Sequence, residues 1–512
     1  MESVIKARVR DVCDPLTSSP GYDWNLLLRI LILSGVFKLL LAVTVPIALD
    51  ESYAIAVARQ YPLSFFEHPP LSFWMPVAAA DLMGINATLI YRLPFLLAGL
   101  ATTWVMFLIG REIGGSRVGV WTALLFCAAP FFLVSVGVFA VPDGPLGLAS
   151  AVVAFNLVRI TKAGARAPLR FWVYAGIGTA FALSSKYQAA WLPLAVLTFM
   201  ILHPKGRGWF AQPGPYLAGV IGLIGLVPVV VWNMQNDWIT LSFHTERVSG
   251  GIHPGNFIGM LLVQSIFLLP VIFVVSVTGF WAALRKRIPP QVFMLAMVAI
   301  GPILMFNYVN LTSAQSHAHW SMPGWQFALP LAALWLKSRG PVMLRRVWRW
   351  MIVFFSIIWA LLAVVVFQSD TGLLTRPFYD RAPDWDNTLS LFDFADLKPA
   401  LMDRGLWDST DVLMANSWAF GGILATAVAS EKPMRIFDTA AAHHFIYLKD
   451  ATATGSTLFM EPSIFRDTER SNAQTLASAR TLDANAELLE PLILTRAGQP
   501  YVSVSIVRLT LK

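Results

Sequence analysis

Val45-Pro46-Ile47-Ala48-Leu49-Asp50-Glu51 closes the first long apolar run of the chain, which begins near Leu26, and a little further on stands Phe66-Glu67-His68-Pro69-Pro70. Three carboxylates and an imidazole are thus gathered where the chain leaves a stretch long enough to cross a bilayer. Hydrocarbon does not tolerate such groups, so acids clustered at the end of a span point to a functional site. Another acid, in Val141-Pro142-Asp143-Gly144-Pro145, stands at the mouth of another apolar run. Any one of these residues fits equally well as an ordinary solvated loop group. Together and in this order they favour a catalytic site at a membrane surface.

Composition sets the class. Of 512 residues 56% are hydrophobic and only 13% charged, against about 25% charged in soluble domains, so the chain reads as an integral membrane protein. The first apolar run is too long for a signal-peptide core and no small-residue cleavage site follows it, so it is expected to stay as an anchor. Cys13 precedes that run and Cys127 lies inside another; they do not pair, and no disulfide framework is expected.

At about 20 apolar residues per crossing, the pattern predicts about eleven spans: 26–47, 89–110, 118–139, 143–160, 171–186, 188–203, 214–233, 257–283, 290–309, 322–337 and 349–367. The fold class is therefore mainly α, a polytopic membrane helical bundle. The stretch from Leu71 to Leu82 is apolar but too short to span, and reads as a helix at the interface or packed on the bundle.

Charge gives the orientation. With a cytoplasmic N-terminus, the inside segments hold Lys6, Arg8 and Arg10, Arg111 and Arg117, a group from Arg159 to Arg170, Lys205 and Arg207, Arg285 to Arg287, and a last group from Lys337 to Arg349. The outside loops before the last span hold only Arg59, Arg92, Lys186 and Arg247. This asymmetry follows the positive-inside rule. The formal charge of +8 is then mostly topological, and nothing in it calls for nucleic acid. An odd number of spans places residues 370–512 outside. Strand-like runs at Met434-Arg435-Ile436-Phe437 and from Tyr501 to Val507, with a helical pattern near 419–428, predict an α/β domain there. The expected domains are a cytoplasmic tail (1–25), a transmembrane catalytic domain (26–367) with a first external loop (48–88), and an external α/β domain (370–512).

Under this topology the costly polar residues fall on one side: Asp50, Glu51, Glu67, His68, Asp143, Lys186, Asn233, His244, Glu246, Arg247, His317, His319 and Trp320. A transporter keeps its ionisable groups near the midplane instead. Lys38 is the main residue of that kind, and reads as snorkelling or as touching a neighbouring helix. Lys186 and Arg247 are the cations an anionic phosphate needs. Glu67 with His68 and His244 could take a divalent cation, magnesium, manganese or zinc, although their spacing is no metal signature. Tyr187 and Trp320 fit an aromatic belt, and His317 and His319 fit plain interfacial histidines. There is no Gly-rich phosphate loop, so no nucleotide cofactor is expected.

Asp50-Glu51, Phe65-Phe66-Glu67-His68-Pro69-Pro70-Leu71, Pro142-Asp143-Gly144-Pro145-Leu146 and Ser185-Lys186-Tyr187 together resemble the GT-C membrane glycosyltransferases that use polyprenyl-phosphate sugars. The run from Pro228 to Trp238 resembles a bacterial branch of that superfamily, related to protein O-mannosyltransferases, lipid A aminoarabinose transferases and rhizobial lipopolysaccharide galacturonosyltransferases. The similarity covers roughly residues 25–340. It implies that Asp50 is the catalytic carboxylate, with Glu51 next to it and Asp143 as a second acid. It implies that Lys186 and Arg247 hold the lipid phosphate, with His68, Tyr187 and Trp320 lining the substrate site. Glu67 matches a carboxylate that can contribute to a metal site, with His244 as its partner. One departure stands out: His68 occupies a position where the aminoarabinose enzymes tend to have lysine.

The resemblance implies inverting transfer of a sugar, such as galacturonic acid or aminoarabinose, from a polyprenyl-phosphate donor. The acceptor would be a hydroxyl or phosphate of a lipopolysaccharide core or lipid A at the periplasmic face of a bacterial inner membrane, among membrane lipids. Rival readings are a lipid-linked sugar flippase, a protein O-mannosyltransferase-like enzyme, and an assembly protein whose external domain is its active part.

Overall fold

The structure is a computed structural model, and it describes residues 20–246, 251–285, 288–313, 317–374, 388 and 391–512. Cys13, Arg247 and the tail up to residue 19 lie outside the described residues. The chain forms two compact units. The first takes the opening helix up to Leu41, the short segment Glu67–Ser72, and Arg92–Trp359; the second takes Ala42–Phe66, Phe73–Tyr91 and the described residues from Ala360 on.

The first unit is helical because its segments have nothing else to offer their backbone polar groups: in hydrocarbon every N–H and C=O must be satisfied within the segment. Among the described residues, five helices of the chain are long and apolar enough to cross a membrane, Asp23–Thr44, Thr88–Gly114, Asp143–Arg166, Pro290–Thr312 and Gly340–Thr371. Three further pairs qualify only when joined across a bend, one of 45° (Pro213–Ile224 with Val227–Gln235) and two above 100° (Tyr187–Leu202 with Pro204–Ala211, Pro254–Leu268 with Pro270–Ala283). By length and composition this gives five to eight crossings. The remaining expected runs carry shorter helices, Ser116–Ala128, Leu169–Ser185 and Met322–Lys337. The expected span 257–283 is not one rod but two helices meeting at 104°. The cause is local: Leu269 adopts a left-handed φ of 69°, and Pro270 has no N–H to continue the ladder.

Packing in this unit depends on small residues. A methyl on Gly279 would stand 2.6 Å from Ala332 Cα, so the helices Pro270–Ala283 and Met322–Lys337 approach backbone to backbone, as membrane helices do through small side chains. Beside them a buried polar network closes on itself. Gln264 Nε2 donates to Asn307 Oδ1 at 2.8 Å, Trp325 Nε1 donates to Gln264 Oε1 at 2.8 Å, and Asn307 Nδ2 donates to the Ile303 carbonyl. Interhelical bonds of this kind are worth about 0.6–2 kcal/mol each. Gly340–Thr371 by contrast exposes Trp350, Ile357, Leu361 and Val364, the pattern of a helix facing lipid. Lys38 does not reach a helix end; it is fully enclosed against Gly99 and Gly137.

The second unit contains a five-stranded mixed sheet, β1 (Val412–Ala415), β2 (Met434–Ile436), β3 (Gly455–Ile464), β4 (Glu487–Arg496) and β5 (Gln499–Leu511), in the order β2-β1-β3-β5-β4. β1 pairs parallel with β2 and β3; β5 pairs antiparallel with β3 and β4. Ala497 and Gly498, both at positive φ, make the two-residue turn that a right-twisted hairpin prefers. The helix Trp418–Ala427 forms the β1-to-β2 crossover.

Of the first external loop, 48–66 and 73–88 are packed in this second unit. Helix Leu49–Ala58 lies against Trp418–Ala427: Thr426 Oγ1 donates to the Ser52 carbonyl at 3.0 Å, and a methyl on Gly422 would stand 2.7 Å from Tyr53 Cα. Glu51, buried in the first turn, accepts from the Ala48 N–H at 3.0 Å and so caps its own helix. Glutamine can still accept that bond, so Glu51→Gln loses only the favourable charge at a helix N-terminus. The expected cost in thermal unfolding is about 0.3–1 kcal/mol, with turnover close to wild type.

Candidate active site

Helix Asp143–Ala163 starts on Asp143-Gly144-Pro145, which places the carboxylate at the positive end of the helix dipole. Gly144 is required here, since a methyl would stand 2.8 Å from the Phe95 ring. Asp143 is only 7% exposed and Lys186 only 5%. Lys186 Nζ donates to both carboxylate oxygens, at 3.0 and 3.1 Å.

The lysine reaches this position because its helix stops there. Leu169–Ser185 ends on Lys186 with extended dihedrals (φ −157°, ψ 135°). Ser185 Oγ bonds back to the Phe181 carbonyl at 2.6 Å, and Ser72 Oγ donates to the Ser185 carbonyl at 3.4 Å. Serine hydroxyls that compete for backbone groups favour such helix ends. Ser72 belongs to Glu67–Ser72, the segment that also carries the buried Glu67 and the half-buried His68.

His319 is the neighbour that sequence reasoning undervalued. It lies on the turn Ala318–Ser321 that opens helix Met322–Lys337. Burial, then the Lys186 ammonium, hold its imidazole down at about 3; the Asp143 carboxylate acts the other way, and His317 adds to the depression. His319 is therefore neutral at any working pH and brings no second positive charge to the Lys186–Asp143 pair. Around it His317 packs on Trp320 at 4.9 Å between ring centroids, and Trp320 on Phe306 at 6.1 Å. Tyr187, next to Lys186, meets His244 edge-on at 5.2 Å. The spacing His317-Ala318-His319-Trp320 at a span start was the available signal. A narrow cavity lies beside Asp143, lined by Phe131, Phe132, Gly147, Ser150 and Gln326 among others.

Each ammonium has three donors. Two are taken by Asp143, which leaves Lys186 one N–H for an anionic ligand. The same contact makes Asp143 a poor proton acceptor, because both of its oxygens already receive hydrogen bonds from a cation. For a metal the fit is incomplete: among the described residues no three of His, Cys, Asp and Glu gather into a possible ligand set. Glu67 and His244 alone do not complete an ion site.

In the second unit Asp50 is exposed, in the first turn of Leu49–Ala58. Its helix is anchored one turn on by Tyr53, which is buried and whose hydroxyl accepts from the His444 N–H at 3.0 Å. His444 Nδ1 in turn accepts from the Phe66 N–H at 3.1 Å. Burial holds this imidazole at about 3 as well, so the ring stays neutral and Nδ1 able to accept across the physiological range. Tyr53 also meets Trp418 at 5.1 Å and Phe445 at 5.9 Å. Tyr53 and His444 were missed because an aromatic residue in an apolar helix, and a histidine far along the chain, look like ordinary core.

Comparison with known proteins agrees with this architecture. Residues 67–232 match the family model described as dolichyl-phosphate-mannose-protein mannosyltransferase. The crystal structure of ArnT from Cupriavidus metallidurans bound to undecaprenyl phosphate superposes with a TM-score of 0.64 at 16% identity, over 95% of this chain and 98% of that one. The likeness shows the fold: the chain has the ArnT-like GT-C fold, and it is a multi-pass membrane protein. Among curated proteins it is similar to the lipid A galacturonosyltransferase RgtD of Rhizobium johnstonii, 22% identical over 300 residues, 58% of this chain and 62% of that protein. It is also similar to undecaprenyl phosphate-alpha-4-amino-4-deoxy-L-arabinose arabinosyl transferase 2 of Proteus mirabilis, 24% identical over 263 residues, 49% of this chain and 47% of that protein. The chain thus matches about half to three fifths of the length of these curated relatives.

Proposed function

We propose that the protein transfers a sugar from a polyprenyl-phosphate donor to a lipid A or lipopolysaccharide-type acceptor, with inversion, at the periplasmic face of a bacterial inner membrane. The observation that carries this reading is the buried Lys186–Asp143 pair at the ends of two helices, with a neutral histidine as neighbour. It supplies a cation for a phosphate at a helix end. The names of the relatives supply the substrate classes: a lipid-linked donor and lipid A.

In the proposed reaction an acceptor oxygen attacks the anomeric carbon from the face opposite the phosphate. The new C–O bond forms as the bond to the phosphate oxygen breaks, and the polyprenyl phosphate departs with the electron pair. Asp50, exposed and on a rigidly anchored helix, takes the acceptor proton. The remaining N–H of Lys186 stabilises the charge that grows on the leaving phosphate, and Asp143 holds that ammonium in place. The positive-inside pattern supports the periplasmic orientation.

Mass analysis of lipid A and lipopolysaccharide from cells with and without the gene tests this. The expected result is the loss of a single sugar substituent, a hexuronic acid or an aminopentose, in the deletion strain, restored by the wild-type gene. Identical glycolipid profiles in the two strains would contradict it.

A further inference from the structure

The opening helix Pro20–Thr44 carries a charge that the proposed transfer leaves unused. Lys38 is 0% exposed, and its Nζ has no hydrogen-bond partner among the described residues. Two glycines make its space. A methyl on Gly137 would stand 2.6 Å from both Cε and Nζ of Lys38. A methyl on Gly99 would collide with Gly137 Cα and would stand 3.0 Å from Lys38 Nζ and 3.1 Å from the Val136 carbonyl oxygen. Gly99 belongs to helix Thr88–Gly114; Val136 and Gly137 belong to the turn between the short helix Pro130–Val134 and Asp143. The tip of Lys38 therefore sits where helix Thr88–Gly114 and the turn at Gly137 approach at backbone distance.

The turn is partly folded on itself, with Val136, Val138 and Ala140 buried. The N–H groups of Gly137, Val138 and Phe139 all fold back onto one carbonyl, that of Val134. A second buried cation touches it: the Arg92 guanidinium lies 5.0 Å from the Phe139 ring centroid. From the turn the contact runs straight into the helix of Asp143, because a methyl on Gly147 would stand 2.7 Å from Val136 Cγ1 and one on Gly144 3.6 Å from the Val136 carbonyl oxygen. An apolar residue at position 38 would fill the slot without a desolvation cost, and ionisable groups persist inside a membrane where they have a task. Lys38 Nζ and the Val136 carbonyl oxygen border the same point beside Gly99, and Val136 belongs to the segment that delivers Asp143.

We propose that Lys38 is a positioning residue: its ammonium pins the 135–142 turn against helix Thr88–Gly114 and so fixes the Asp143 carboxylate where both oxygens meet Lys186. The inference rests on the reading of the Lys186–Asp143 pair as part of the transfer site.

The test uses full-length protein in lipid nanodiscs, with a polyprenyl-phosphate sugar as donor and lipid A as acceptor, and two separate readouts. Lys38→Met keeps the stem and removes the charge. It should lower kcat about tenfold or more, since small misplacements of reacting groups cost up to about 100-fold, while KM for the donor stays close to wild type. Hydrogen–deuterium exchange of the 135–142 amides should become faster, with the melting temperature preserved. Wild-type kcat in Lys38→Met overturns the proposal. So does a raised KM at unchanged kcat, which would make Lys38 a substrate-binding group, and so does a kcat loss without faster exchange in the turn. Should Lys38→Met fail to fold, Gly137→Ala retains every charge but pushes a methyl into the ammonium's place. Reduced kcat with faster exchange supports the proposal; wild-type values for both in folded Gly137→Ala overturn it. If the wild-type protein transfers no sugar at all, the functional reading fails, and the exchange measurement still decides the role of Lys38.

Discussion

Asp50→Asn should lower turnover at least about 100-fold, the lower range for a positioned acid–base group, and leave expression and donor binding close to wild type. The substitution keeps volume and hydrogen-bonding capacity but removes nearly all basicity. Asp50 is the acid suited to the role because it is exposed, whereas Glu51 caps its own helix and Asp143 is occupied by Lys186 on both oxygens. Its helix does not depend on it, since Tyr53 and the packing on Trp418–Ala427 hold that element in place. Steady-state kinetics with isothermal donor binding distinguish the outcomes. Near-normal turnover in Asp50→Asn, with Asp143→Asn inactive, would move the base to Asp143.

Lys186→Met should abolish most turnover and cost about 3–5 kcal/mol of stability, because removing one partner of a buried pair strands the other charge. The double variant Asp143→Asn, Lys186→Met should regain most of that stability, as a buried pair replaced by neutral groups often loses nothing, yet stay inactive. Thermal unfolding of the four proteins in one detergent gives the cycle. A double variant as unstable as the single one would mean that Lys186 supports the fold through contacts other than Asp143.

Much of this protein was legible in its sequence, for reasons that differ between elements. The apolar runs set the helices of the membrane part because hydrocarbon leaves no alternative, and the strand-like runs near Met434 and Tyr501 fall on β2 and β5. The break at Leu269-Pro270 was not legible as a 104° bend: composition reads length, whereas a single left-handed residue sets direction. The acids and cations could be named from their places at span ends, but not their pairing. Nothing in the spacing of Asp143 and Lys186 shows that they share two hydrogen bonds, and nothing in Asp50-Glu51 shows that one carboxylate is exposed while its neighbour caps the helix. The packing of helix Leu49–Ala58 on the distant segment Trp418–Ala427 depends on Gly422, a residue without any local signal. Lys38 read as snorkelling or as touching a neighbouring helix; the second holds, and only the glycines at 99 and 137 show the slot made for it.

The most direct measurement is transfer by the purified protein. Full-length protein in nanodiscs would be given a synthetic undecaprenyl-phosphate galacturonic acid or aminoarabinose together with lipid A, and the products followed by mass spectrometry and NMR of the anomeric centre. The expected result is lipid A carrying one added sugar of inverted configuration, one undecaprenyl phosphate released per transfer, and neither product from Asp50→Asn. Folded wild-type protein that leaves both lipid-linked donors intact, with acceptor and membrane lipids present, would contradict the assignment of this chain as a polyprenyl-phosphate-dependent lipid A glycosyltransferase.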